Sequence, residues 1–276
     1  MSELIGRYVQ VGPYRIYYES MGSGEPVICL PTAGASTGEY RNVLPALAQA
    51  GYFAIAMDPP GHGNSYPDLK DLSVPATEDA YVDLVWAFAQ KLDLNRPVFV
   101  GCAMSGSAML LLALKHGREI RAVVAGEGNA SFRINPIQLA ALDHPSINMA
   151  DMMESTTAGV CARGIEPAVL NECIWHNARN ASPSVIFADL NIYDQHDLES
   201  RLGEIPCPVL HLYGEEDPCV LEQSKRLLRE QVPQIRQVAL PHTGHLSPVE
   251  NPAGFSAAII QFLQELPVQD ERGARS

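Results

Sequence analysis

The segment Val98-Phe99-Val100-Gly101-Cys102-Ala103-Met104-Ser105-Gly106-Ser107-Ala108 constrains this chain more than any other. An apolar strand runs into a helix with almost no loop between them. A turn that sharp strains the backbone at its apex, Ala103. It also projects the apex side chain beyond the C-terminal end of the strand, in front of a helix N-terminus whose dipole favours negative charge. Only small residues fit beside such an apex, and Gly101, Ser105 and Gly106 satisfy that demand. A strand with no polar alternation is covered on both faces, so the segment predicts a parallel sheet layered between helices.

The same rhythm runs through most of the chain. Residues 7–20 alternate around Gly12-Pro13 and read as a hairpin. Short apolar strands are expected at 26–30, 52–57, 97–100, 120–125, 208–213 and 237–240. Helices are expected at 40–50, 76–92, 104–116, 221–231 and 253–265. The alternation stops between 130 and 200, a helix-like stretch punctuated by Pro136, Pro145, Pro167 and Pro183. This predicts a core formed by 1–129 and 201–267, a helical cap at 130–200, and a loose tail at 268–276. Strands alternating with helices make a mostly parallel sheet of α/β class.

Charge excludes some partners. Against 32 Asp and Glu the chain has 19 Lys and Arg, a net charge of −13. Such a surface repels phosphate backbones and anionic lipid, so neither nucleic acid nor membrane is an expected partner. No apolar run approaches the length of a membrane span. The N-terminal residues lack a secretion signal, and the six cysteines show neither a CxxC pair nor Cys–His metal spacing. A cytoplasmic protein with reduced cysteines and no metal or cofactor is the expectation. The oligomeric state is open, and a dimer is compatible with the sequence.

Five landmarks occur in order: PVICLPTAGA, MDPPGHGNS, FVGCAMSG, LYGEEDP and HTGHLSPVENP. Together they resemble the α/β-hydrolase superfamily over most of the chain outside 130–200. The resemblance implies an α/β-hydrolase fold, with the apex of the sharp turn as the nucleophile position. Serine is expected there, and the chain has Ala103. Ser105 is not a substitute. Only with Ala103 as apex does Ala113-Leu114-Lys115-His116 fall where helices of this family end, and counting from Ser105 would bury Gly101 and Cys102 inside the strand. Ser105 then reads as a small residue tolerated against the sheet. The alanine is explained either by an engineered serine-to-alanine change or by a natural pseudoenzyme. The otherwise intact site favours the first.

His245, in the loop between a strand and a helix, is the expected base. The acid that orients it is Asp217, after the strand PVLHLY, or Glu127, in Ala125-Gly126-Glu127-Gly128. Backbone amides of Met104 and Ala33 are the expected oxyanion donors. Many family members read His-Gly where this chain has Pro31-Thr32, and Pro31 has no N–H, so the loop needs another brace. His62, within Asp58-Pro59-Pro60-Gly61-His62-Gly63-Asn64-Ser65, reads as a turn residue.

The implied chemistry is acyl transfer to water on a small apolar ester or lactone. Trp175, His176 and Met153 are candidate substrate contacts, with Phe187, Tyr193, Met149 and Met152 beside them. Pro31, the Gly101-Cys102 elbow and Glu127 resemble zearalenone-type lactone hydrolases, although Asp217 does not belong to that pattern. Enzymes that use an apex carboxylate, such as epoxide hydrolases, fit less well. The competing readings are a protein that binds a small apolar ligand without turnover, and a C–C hydrolase or cofactor-free lyase or oxygenase on the same fold.

Overall fold

Each apolar strand of this chain has two faces to bury, and the sheet supplies a helical layer for both. The structure is a computed structural model describing residues 3–65, 74–142 and 144–267. The strands are β1 (Ile5–Val11), β2 (Tyr14–Gly22), β3 (Glu25–Leu30), β4 (Tyr52–Met57), β5 (Val98–Cys102), β6 (Ala122–Gly126), β7 (Val209–Gly214) and β8 (Ile235–Leu240). They form one sheet in the order β1-β2-β4-β3-β5-β6-β7-β8. β2 runs antiparallel to both β1 and β4, and every other pairing is parallel.

The helices are α1 (Leu44–Gln49), α2 (Glu78–Lys91), α3 (Met104–His116), α4 (Pro136–Leu142), α5 (Met149–Val160), α6 (Pro167–Arg179), α7 (Pro183–Asp194), α8 (Glu222–Gln231), α9 (Ser247–Glu250) and α10 (Pro252–Glu265). A 3-10 turn at Thr37–Tyr40 opens the segment expected to be one helix from 40 to 50. Pro45 at the second position of α1 explains the late start, since proline suits a first turn and disrupts an interior. α2 begins at Thr77, whose side chain accepts from the Ala80 amide, and carries Glu78 and Asp79 in its first turn, where the dipole favours them.

Successive residues of β3 point to opposite faces. Ile28 and Leu30 join the core beneath α2 and α3, and Val27 and Cys29 join the core beneath α1 and α10. All six cysteines are free, and all but Cys219 are buried. Helices α4–α7 lie between β6 and β7 in the chain and form the cap. Among the described residues no helix is long and apolar enough to cross a membrane. The expected loose tail at 268–276 lies outside the described residues.

Candidate active site

Backbone geometry at the elbow matches what its residues demand. Ala103 has φ 53° and ψ −113°, a conformation that L-residues avoid. Its amide donates to the Gly126 carbonyl at 2.8 Å, and its carbonyl accepts from Ser107 at 2.9 Å. A Cβ at Gly101 would collide with Ser105 backbone, and one at Gly106 with the Gly126 carbonyl. Gly106→Ala is therefore expected to cost roughly 3 kcal/mol of stability by forcing α3 off the sheet, measurable as a lower denaturant midpoint.

Ser105 is wholly buried. Its hydroxyl donates to the Pro31 carbonyl at 2.5 Å and lies 2.8 Å from the Tyr81 hydroxyl. It is thus more than a tolerated small residue: it tethers the loop after β3 to the elbow. Its burial also separates it from any nucleophilic role.

The loop after β8 brings His245 to the same edge of the sheet. Its Nδ1 lies 2.8 Å from Asp217 Oδ2. The other Asp217 oxygen accepts from the amides of Cys219 at 2.7 Å and Val220 at 3.3 Å. A carboxylate at Nδ1 fixes the ring proton there and leaves the Nε2 lone pair for a proton acceptor's work. Burial pushes the His245 pKa down, but Asp217's charge and hydrogen bond, with Glu250 and Glu39, outweigh it and leave the ring easier to protonate than a free imidazole. The main chain is held as firmly. The His245 amide donates to Val160 at 3.0 Å, and Glu250 accepts from Gly244 and Leu246, each at 2.9 Å.

Glu127, the alternative acid, sits elsewhere in this network. It is fully buried at φ 50°, and neither carboxyl oxygen has a hydrogen-bond partner among the described residues. Burial raises its pKa well above the usual carboxylate range, which favours the uncharged acid. Glu39, buried nearby, is pushed up to about 7, chiefly by burial, and both carboxyls act on Cys102.

Carboxyls kept protonated in the fold have a signature. Unfolded Glu39 loses its proton near pH 4.5, whereas folded Glu39 keeps it until about 7. Its contribution to stability is complete below 4.5 and falls by roughly 3 kcal/mol as pH rises through 7. Glu127 acts with the same sign. Thermal stability is expected to peak on the acid side of neutrality. Glu39→Gln should flatten the decline between pH 5 and 7 in a melting series; an unchanged slope would refute it.

Ala33, Met104, Ala103 and His245 line one cavity of about 340 Å³. Met104 is the first residue of α3, so its amide has no intrahelical acceptor. Among the described residues neither its N–H nor that of Ala33 bonds to another protein group. Two unengaged amides beside an elbow can stabilise an oxyanion.

Met153 lines this cavity; Trp175 and His176 do not. Trp175 is 63% exposed, because on α6 it lies two residues from both buried Cys173 and buried Asn177, on the opposite side of the helix. His176 is buried against Gly38 instead. Of the neighbouring candidates Tyr193 lines the cavity, its ring stacked on Phe132 at 4.0 Å. Thr156, Thr157 and Val160 line it as well. With Met153 they occupy i, i+3, i+4 and i+7 of α5, a helical stripe readable from the sequence.

Asp217, Cys219 and His245 place one possible ligand atom each within 4.8 Å of one another. Both Asp217 oxygens already accept N–H groups, and burial together with Asp217's charge pushes the Cys219 thiol up to about 12. The set contains an imidazole–carboxylate pair already joined by a hydrogen bond, beside a thiol whose ionisation its surroundings oppose.

The model of the alpha/beta hydrolase family matches residues 27–258. The chain belongs to this family. Among curated relatives, the 2-hydroxy-6-oxo-6-(2'-aminophenyl)hexa-2,4-dienoic acid hydrolase of Metapseudomonas resinovorans is 26% identical, over 95% of this chain and 92% of that protein. The enol-lactonase from Burkholderia xenovorans shares the fold at a TM-score of 0.82 and 22% identity, covering 94% of this chain and 100% of that one. A thermophilic esterase from Thermogutta terrifontis matches at a TM-score of 0.82 and 19% identity, covering 96% and 100%. The mixed eight-stranded sheet and cap helices are thus those of an alpha/beta hydrolase.

Proposed function

We propose that this alpha/beta hydrolase scaffold cleaves a small neutral ester or lactone by acyl transfer when residue 103 is serine, and that with Ala103 it binds such a ligand without turnover. The observation that carries the reading is the His245–Asp217 pair facing a cavity that also contains the strained apex and the Ala33 and Met104 amides. In this reading a serine Oγ at position 103 attacks the carbonyl while His245 Nε2 takes its proton. The Ala33 and Met104 amides hold the oxyanion, and Asp217 stabilises the imidazolium. His245 then protonates the leaving alkoxide, and a water activated by the same ring releases the acyl group. Residues 130–200 act as a cap over the core units 1–129 and 201–267.

Preference for an uncharged substrate rests on the lining. Among the described residues Arg133 is its one basic side chain, histidine aside. Its Nη1 donates to the carbonyls of Phe132, Asp194 and His196 at 2.7, 2.9 and 2.8 Å, and Nη2 lies 3.4 Å from Asp197. The guanidinium is committed to its own chain, so a substrate carboxylate finds little to pair with. Apolar lining by Leu142, Met153, Val160 and Leu190 favours a hydrocarbon body. This also favours an ester or lactone over the dienoic acid named for the Metapseudomonas relative. The test is fluorophosphonate labelling: Ala103→Ser should be labelled at the introduced hydroxyl and the unsubstituted chain should not. A folded Ala103→Ser protein that resists labelling would sink the reading.

A further inference from the structure

The loop that carries Ala33 is pinned at backbone groups on both sides of that residue. Tyr40 Oη donates to the Leu30 carbonyl at 2.8 Å, and Ser105 Oγ to that of Pro31 at 2.5 Å. The Thr32 amide donates to Glu39 Oε2 at 2.8 Å, and its carbonyl accepts from Ala35 at 3.1 Å. Those braces come from the core. The remaining one comes from the cap. The Gly34 amide, next to Ala33, donates to Asp189 Oδ2 of α7 at 2.9 Å.

Asp189 is only 4% exposed, yet its carboxylate is well supplied with donors. His62 Nε2 lies 2.7 Å from the same oxygen, and His62 Nδ1 lies 3.2 Å from the Pro60 carbonyl. Both partners of that ring accept. Burial pushes its pKa down, but Asp189's charge and hydrogen bond outweigh it and raise the pKa, so the surroundings favour the imidazolium. A buried carboxylate thus receives a charged donor from the turn and a neutral donor from the loop, a well-compensated arrangement. The surroundings are close. Gly34 has φ +74°, and a Cβ there would press on Ile186 of α7 and on the Asn177 carbonyl of α6. The Asn180 carbonyl accepts from Gly63 at 3.0 Å, tying the α6–α7 connection to the same turn.

We propose that Asp189 is a positioning residue: through the Gly34 amide, with His62 as its counter-charge, it makes the cap a structural part of the oxyanion loop and holds the Ala33 N–H toward the reacting carbonyl. The proposal rests on the reading of Ala33 as an oxyanion donor. It assigns the cap a catalytic consequence beyond enclosing substrate, and it gives the loop the brace that Pro31-Thr32 calls for.

The test has two readouts and one control. The control is Glu78→Gln, which takes the charge out of the 2.6 Å contact between His196 Nδ1 and Glu78 and so weakens another cap–core attachment away from this loop. In the chain as it stands, amide hydrogen exchange of residues 32–35 is expected to speed up at least about 10-fold in Asp189→Ala and not in Glu78→Gln. In the Ala103→Ser background, Asp189→Ala is expected to lower kcat on p-nitrophenyl butyrate about 10- to 100-fold, part of the cost of deleting an oxyanion donor outright. KM should stay within about 3-fold, because ground-state contacts persist. Affinity for a trifluoromethyl ketone of the same chain length should fall in parallel with kcat/KM, and Asp189→Asn, which keeps an acceptor for Gly34, should recover part of the loss. Unchanged exchange overturns the proposal, as does faster exchange with kcat intact, or losses no larger than those of Glu78→Gln. If Ala103→Ser itself shows no turnover, the hydrolase reading fails and the catalytic role falls with it, while the exchange result still reports separately whether the cap holds the loop.

Discussion

Ala103→Ser is expected to raise kcat on p-nitrophenyl esters by about 10⁴- to 10⁶-fold over the chain as it stands, the range by which removal of a serine nucleophile silences comparable enzymes. That corresponds to roughly 5 to 8 kcal/mol of barrier. One oxygen atom can have so large an effect because the rest of the arrangement is already in place. The backbone at 103 has taken the strained φ 53° without any gain from a nucleophile, so serine adds no further backbone strain. Its Oγ would project into the cavity that His245, Ala33 and Met104 share. The substitution also places an oxygen at the N-terminus of α3, so its effect on stability should stay within about 1 kcal/mol. Absence of a p-nitrophenolate burst from a folded Ala103→Ser protein, at any pH between 6 and 9, would count against the reading. The unsubstituted chain should instead bind an intact ester, visible as a rise in melting temperature that grows with ester concentration.

Fold and site were unequally legible in the sequence, and the difference follows the range of the interactions. Apolar strands such as Val98–Cys102 and the helix at 104–116 declare themselves locally, because burial on both faces and helical periodicity leave patterns within a dozen residues. Ala103 was identifiable as apex because Gly101 and Gly106 answer steric demands only a few positions away. The expectations for His245 and the carboxylates rest on their places after strands. Choosing between Asp217 and Glu127 needed the coordinates, since only the fold decides which carboxyl reaches Nδ1. The Asp189–Gly34 bond joins residues 155 apart, and no local signal announces it. His62 reads as a turn residue within DPPGHGNS, and its second role emerges only when α7 is set against it. Trp175 misleads for a related reason. A large aromatic in a cap is a natural guess for a substrate contact, yet helix phase turned it outward and left the quieter Met153, Thr156, Thr157 and Val160 stripe on the cavity.

With serine restored, Asp217→Asn is expected to lower kcat by about 10⁴-fold, whereas Glu127→Gln should leave it within about 3-fold. The asymmetry comes from hydrogen-bond polarity. Asp217 Oδ1 accepts two backbone amides, so an asparagine there keeps its carbonyl oxygen on that side. Its NH₂ then faces His245 Nδ1 in place of Oδ2. A donor at that position makes Nδ1 the acceptor and moves the ring proton to Nε2, the atom that must take the nucleophile's proton. The geometry survives and the base is lost. The same substitution removes the leading influence that raises the His245 pKa and leaves burial to push it down. The rising limb of any residual pH–rate profile should therefore move to lower pH. Glu127 is different in kind. Its oxygens have no hydrogen-bond partner among the described residues, and burial favours the uncharged acid, so glutamine reproduces its size and the form that burial favours. Asp217→Asn with near-normal kcat beside a silent Glu127→Gln would reverse the assignment of the acid. It would also mean that Glu127 reaches His245 only after the site rearranges around a bound substrate.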